Sequence, residues 1–147
     1  MSSIVVVGIG PEGSGSYAAD VAAGYATALG AAMILVFGYE PSSLGPRGGP
    51  FEDQIEEIAD EVTKDVRSAL AAAHPDLAIT VELVRDRPVE SLIRVAEARS
   101  AQVIVVGHGG SGPFRAALLG STTYELVHRS TIPVLVVPDP KAPDSDD

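Results

Sequence analysis

Cysteine and tryptophan are absent from the 147-residue chain, and only 5% of its residues are aromatic. Without cysteine there is no disulfide framework, no thiolate nucleophile and no Cys-based zinc site, which fits the reducing cytoplasm expected for this chain. Three scattered histidines give no metal-ligand spacing either. Basic residues are scarce. Ten Lys plus Arg against twenty Asp plus Glu leave a formal net charge of −10, a balance that repels phosphodiester backbones and anionic bilayers, so neither nucleic acid nor membrane is expected as a partner. Long apolar runs are missing as well. The stretch at 4–7 is far too short for a signal or a membrane span, and Met1, Ser2 and Ser3 before it carry no positive charge.

What is present reads as one ordinary domain. Hydrophobic residues make up 46% and charged residues 20%, which rules out disorder throughout, and a domain of this size buries roughly two thirds of its unfolded surface. The last nine residues stand apart: Asp139, Asp144, Asp146 and Asp147 alternate with Pro140 and Pro143, so 1–138 is expected to be the domain and 139–147 a solvated, disordered tail.

Five short apolar runs, at 4–7, 33–37, 77–84, 103–106 and 134–137, alternate with segments of helical spacing. That order predicts an α/β fold with a parallel, doubly wound sheet. Four runs are nearly continuous Val, Ile and Leu, as strands covered on both faces require. The third alternates, with Leu77, Ile79, Val81 and Leu83 separated by Ala78, Thr80 and Glu82, which predicts an edge position. A first helix over 16–29 is expected to turn Val21, Ala22, Tyr25 and Leu29 inward and to stop at Gly30. In the second, Phe51, Ile55, Ile58, Val62, Val66, Leu70 and Ala73 form one apolar stripe. A third starts at Pro88 and a fourth spans 121–129, while the Pro- and Gly-rich 41–50 is expected to be a loop beside the site.

Ligands of doubly wound sheets sit beyond the carboxyl ends of the strands, so the loops after the first and fourth strands carry the chemistry. The first, Gly8-Ile9-Gly10-Pro11-Glu12-Gly13, has the form G-x-G-x-x-G, but Pro11 removes a donor and the helix starts late. A plain turn with Ser14 or Ser16 as helix cap is the expectation there. The second holds Gly107, His108, Gly109 and Gly110, then nine residues leading to Gly120, Ser121 and Thr122. Backbone at Gly107 and Gly110 can approach a ligand closely, and a helix opening at Ser121 offers free N–H groups, a positive dipole end and two hydroxyls to phosphate oxygens. On the residues alone, a phosphate cradle and a long loop capped by Ser121 both stay open. His74 and His128 fall at helix ends, the four tyrosines are read as packing residues, and Arg85, Asp86 and Arg87 form a charged turn from which either Arg can reach a phosphate.

The spacing G-x2-G-x9-G-S after an Ile-Val-Val-Gly strand, followed by Ser-Thr-Ile-Pro-Val-Leu-Val-Val, resembles the universal stress protein family in its ATP-binding subgroup. Over 3–138 the resemblance implies strand order 3-2-1-4-5 and ATP or a related adenine nucleotide as ligand. Gly107 and Gly110 would lie against ribose and phosphates, Gly120, Ser121 and Thr122 would hold the phosphate chain, and backbone near Gly38 would meet the adenine. The family's Asp after the first strand falls on Gly10, which removes a nucleoside acceptor, and the Gly before the third helix is replaced by Asp86. The family topology also makes the fifth strand an edge, so a homodimer through Val134, Leu135, Val136 and Val137 is expected. The leading expectation is a nucleotide-binding sensor without catalysis. A slow ATP hydrolase with Mg²⁺ on the phosphates, and a structural dimer without nucleotide, are the alternatives.

Overall fold

A computed structural model describes residues 3–10, 15–40, 50–108 and 121–138. Its elements run β1 (Ile4–Gly8), α1 (Ser16–Leu29), β2 (Ala32–Gly38), α2 (Pro50–Ala73), β3 (Ile79–Val84), α3 (Pro88–Ala98), β4 (Val103–His108), α4 (Ser121–Arg129) and β5 (Val134–Pro138). The strands form one parallel sheet in the order β3-β2-β1-β4-β5. Alternation along each strand sends Val5, Val7, Met33, Leu35, Phe37 and Val105 to one face and Val6, Ile34, Val36, Ile104 and Val106 to the other. Helices α1 and α2 cover the first face, α3 and α4 the second. With both faces covered, the central strands have no polar positions to spare, which is why they read as unbroken apolar runs.

Helix α1 sits on the sheet through alanine. Ala18, Ala19, Ala22, Ala23 and Ala26 are fully buried, whereas Tyr25 and Leu29, expected inward, are 53% and 57% exposed. Small side chains let the helix axis come close to the strands, and the large residues are rotated to its flank. Its start is glycine rather than serine. Gly15 is the N-cap at φ 93°, with no side-chain cap bond, and a Cβ there would lie 2.4 Å from the Gly8 carbonyl oxygen. Gly15 therefore performs the close helix-to-strand packing that a dinucleotide fingerprint assigns to its third glycine, two positions later than the sequence pattern suggests. At the other end Gly30 adopts φ 66° and its N–H bonds the Ala26 and Thr27 carbonyls, as expected of a left-handed stop.

Other expectations shift by small amounts. Pro50 is the first residue of α2 rather than the last of a loop, a position where its missing N–H costs nothing. Val62, Val66 and Leu70 of the expected α2 stripe pack on the core, but Ile58 is 49% exposed and Ala73 is exposed too, while Ala59 and Thr63 are buried in addition, the Thr63 hydroxyl donating to the Ala59 carbonyl at 2.8 Å. The side chains of Phe51 and Ile55 lie outside what is described. β3 begins at Ile79, because Leu77 still belongs to the turn, its N–H bonding the His74 carbonyl. It occupies the predicted edge. Of the tyrosines only Tyr39 is buried, its hydroxyl donating to Glu56 on α2 at 3.0 Å, while Tyr17, Tyr25 and Tyr124 are exposed rather than packed.

Gly38 marks a second close approach. A Cβ there would stand 2.5 Å from Ser91 Oγ and 3.0 Å from Pro88 Cα, so α3 packs directly onto the end of β2. Gly38→Ala is expected to lower ligand-free stability by about 1–3 kcal/mol through overpacking, read as a fall in the denaturant midpoint. An unchanged midpoint would show that α3 can move away without cost.

Candidate functional site

The strand order reverses between β1 and β4, and there the carboxyl ends of both strands open beside the start of α1. Three glycines meet at this crevice. Gly8 carries the carbonyl under Gly15, and Gly107 lies 3.7 Å, measured from an ideal Cβ, from Gly15 Cα and 3.8 Å from Ala18 Cβ. Those two contacts are of ordinary length, so the fold does not need Gly107 to lack a side chain. Gly107 is exposed at this point, which leaves its bare backbone open to a ligand. The contrast with Gly38 is instructive, since packing against Ser91 and Pro88 accounts for that glycine entirely.

The fourth helix is fastened to the crevice by a residue that sequence reasoning passed over. Thr123 is buried, and its hydroxyl donates to the Gly107 carbonyl at 3.4 Å. This bond holds the first turn of α4, with Ser121 exposed and Thr122 half-buried, against the end of β4. The helix start therefore brings backbone N–H groups that have no partner within the helix next to Gly107, an arrangement that suits an anion. Gly10 is half-buried just past β1, following Ile9, whose N–H bonds the Val36 carbonyl at 2.9 Å. The structure thus brings Gly10, Gly107, Ser121 and Thr122 to the strand ends around the switch point, with Gly38 at the end of neighbouring β2. Gly110 and Gly120, like the acidic tail and the 41–49 stretch, lie outside the described residues.

An ionic ring links α3 to α4 below this opening. Arg87 Nη2 donates to both Glu125 oxygens at 2.8 and 3.0 Å, and Arg129 Nη1 donates to Glu125 at 2.7 Å and to Glu90 at 2.6 Å. Asp86, in the same turn, accepts from the Arg87 N–H at 2.8 Å and pairs with Arg94. The charged turn is therefore folded into helix-to-helix contacts. His128 Nδ1 donates to the Tyr124 carbonyl at 3.1 Å, its ring tilted 37° to the Tyr124 ring with centroids 4.4 Å apart, while His74 lies 3.9 Å from Asp20.

An open parallel α/β sheet with a glycine crevice at its switch point and an anion-ready helix start defines a nucleotide-binding class of fold. Comparison with known proteins narrows this. Residues 1–138 match the Universal stress protein family, and the chain belongs to that family. A universal stress protein of Mycobacterium tuberculosis is 30% identical over 146 residues, covering 95% of this chain and 45% of its own length. The chain thus spans less than half of that relative. One from Thermus aquaticus is 32% identical over 120 residues, covering 82% of this chain and 87% of the relative. Among solved structures, a universal stress protein in complex with cAMP is 28% identical, with a TM-score of 0.68 over 90% of this chain and 95% of that one. An Archaeoglobus fulgidus universal stress protein superposes with a TM-score of 0.74 at 18% identity over 93% of this chain and 94% of that one, supporting the five-stranded fold.

The ring has a pH consequence. The Arg129 guanidinium, bonded directly to Glu90, holds that carboxyl below the ordinary glutamate range. A carboxyl depressed in the folded state adds stability that is complete above its unfolded value and is lost as pH falls through the folded one. Melting temperature measured from neutral pH down through the carboxylate range should fall less for Glu90→Gln than for the wild type. Parallel curves would mean that the ring contributes nothing to acid sensitivity.

Proposed function

We propose that this chain is an adenine-nucleotide-binding sensor or regulatory module of the stress response, holding ATP or a related nucleotide without a catalytic constellation. The observation that carries it is the start of α4, tied by Thr123 to Gly107, whose missing side chain packing does not explain. Phosphate would lie at Ser121 and Thr122, with Gly120 before them, ribose and phosphates against Gly107 and Gly110, and adenine near the Gly38 backbone. ATP is what the resemblance of the G-x2-G-x9-G-S spacing to the family's ATP-binding subgroup implies. A cyclic monophosphate is the second reading, favoured by the relative in complex with cAMP and by Gly10, which brings no carboxylate to the ribose. Esterification of the 3′ oxygen leaves a cyclic nucleotide one free hydroxyl fewer to satisfy.

Calorimetric titration of ATP, AMP and cAMP tests both readings. Ser121→Ala removes a donor to a charged oxygen and should weaken the preferred nucleotide by roughly ten- to a hundredfold, about 1.5–3 kcal/mol. Gly107→Ala should weaken it while leaving the ligand-free melt nearly unchanged. Wild-type affinity in both variants would sink the assignment. Recovery of ADP after incubation with ATP and Mg²⁺ would instead favour the slow hydrolase.

The same reading includes a homodimer through β5. This strand pairs only with β4 among the described residues, and Val134, Leu135 and Val136 are half-buried along it. Both flanking helices support the contact. On α1, Ser16 and Asp20 line a groove against α2, while Tyr17, Val21, Tyr25 and Leu29, spaced by four, fall on the opposite flank toward β5. On α4, Glu125 and Arg129 engage Arg87 and Glu90 of α3, and the exposed Tyr124 and Val127 fall on the other side. An apolar strip on each side of an open strand is the pattern of a self-complementary interface. Sedimentation should give a dimer at micromolar concentration that Val136→Lys converts to monomer. A monomeric wild type, or a dimer indifferent to the lysine, would overturn it.

A further inference from the structure

Arg87 stands at the head of α3 among three carboxylates. Besides the bonds to Glu125, its Nε lies 3.3 Å from Glu90 Oε1 and 3.9 Å from Glu40 Oε2. The side chain is half exposed, so as a stability device each pair contributes little. Its placement is more telling than its strength. Glu125 follows Ser121 by four residues, which puts both on one face of α4, the carboxylate a single turn behind the helix start. Glu40 follows Gly38 by two residues, at the end of β2. Three carboxylates and two guanidiniums give the cluster a formal charge of −1, which becomes −2 when Arg87 is removed. Glu125 would then keep only Arg129, whose Nη1 it shares with Glu90, and its surplus charge in the second turn would compete for the positive end of the helix dipole that a phosphate uses.

Resting on the nucleotide reading, we propose that Arg87 is a positioning residue for that ligand: by neutralising Glu125 and tying it to α3, it keeps the start of α4 receptive to phosphate. Arg87 acts on the ligand through Glu125 and not by contact. Repulsion from a Glu125 left with only this shared arginine scales with ligand charge, so the effect of losing Arg87 grows with the number of phosphates. Screened as in bulk water, unit charges about one helical turn apart cost roughly threefold in affinity for each phosphate charge, so the loss is larger for ATP than for AMP.

The test is calorimetric titration of AMP and ATP into wild type, Arg87→Gln, Glu125→Gln and the double variant, with ligand-free melts alongside. Expected is a loss of affinity in Arg87→Gln that is larger for ATP than for AMP, and recovery to within about twofold of wild type in the double variant. Equal losses for both nucleotides, or a loss that Glu125→Gln leaves in place, would mean a merely structural role or a direct phosphate contact, and either overturns the proposal. Unchanged affinity in Arg87→Gln overturns it alone. A wild type that binds neither nucleotide overturns the nucleotide reading and this proposal together.

Discussion

Everything at the strand ends depends on how near α1 comes to the sheet. With a Cβ on Gly15 only 2.4 Å from the Gly8 carbonyl, the helix can start where it does only because residue 15 has no side chain and can hold φ 93°. The alanine face continues that approach along the helix, from Ala18 to Ala26. Gly107 meets the start of α1 from the β4 side, within 4 Å of Gly15 and Ala18 when a Cβ is placed on it. Replacing alanine by larger residues would raise α1 away from the strand ends.

The architecture was legible in the chain because burial on both faces leaves a simple trace. Four unbroken apolar runs, one alternating run and Gly or Pro at helix ends were enough to place nine elements and the outer position of β3. Errors cluster where hydrophobicity and burial part company. Tyr25, Leu29 and Ile58 are large and apolar, yet exposed, while small Ala18, Ala19 and Ala59 fill the contacts. A stripe counted by size points toward solvent in α1, since close helix-to-sheet packing favours the smallest side chains. The large ones are then available for another surface, and on α1 and α4 they flank β5.

The site was legible by spacing and only in part by role. Glycine in a sequence announces conformational freedom or close approach without saying which neighbour needs it. Gly38 turns out to be demanded by Ser91 and Pro88, Gly15 by the Gly8 carbonyl, and Gly107 by no neighbour among the described residues at less than ordinary contact. Thr123 could not be singled out at all, because a threonine one turn into a helix looks like any other until its hydroxyl is seen on the Gly107 carbonyl. The ring of Arg87, Glu90, Glu125 and Arg129 joins residues 38 and 39 positions apart, a separation that no local pattern reveals.

An acidic protein that holds an anion has to keep its own carboxylates away from the ligand or cancel them. With twenty acidic and ten basic residues, this chain has little positive charge to spread. Two of its ten cations, Arg87 and Arg129, are nevertheless concentrated on Glu90 and Glu125 between α3 and α4, and a third, Arg94, on Asp86 in the adjoining turn. Salt screens exposed charges beyond about 8 Å at physiological ionic strength, so the remote acidic surface scarcely matters to a phosphate at the helix start. Nearby carboxylates do matter. Under the proposed nucleotide reading, the allocation of scarce arginine to the few acids nearest α4 reconciles a net charge of −10 with a helix end receptive to phosphate. Backbone N–H groups, which carry no formal charge and cannot be titrated away, would on that reading supply the attraction itself.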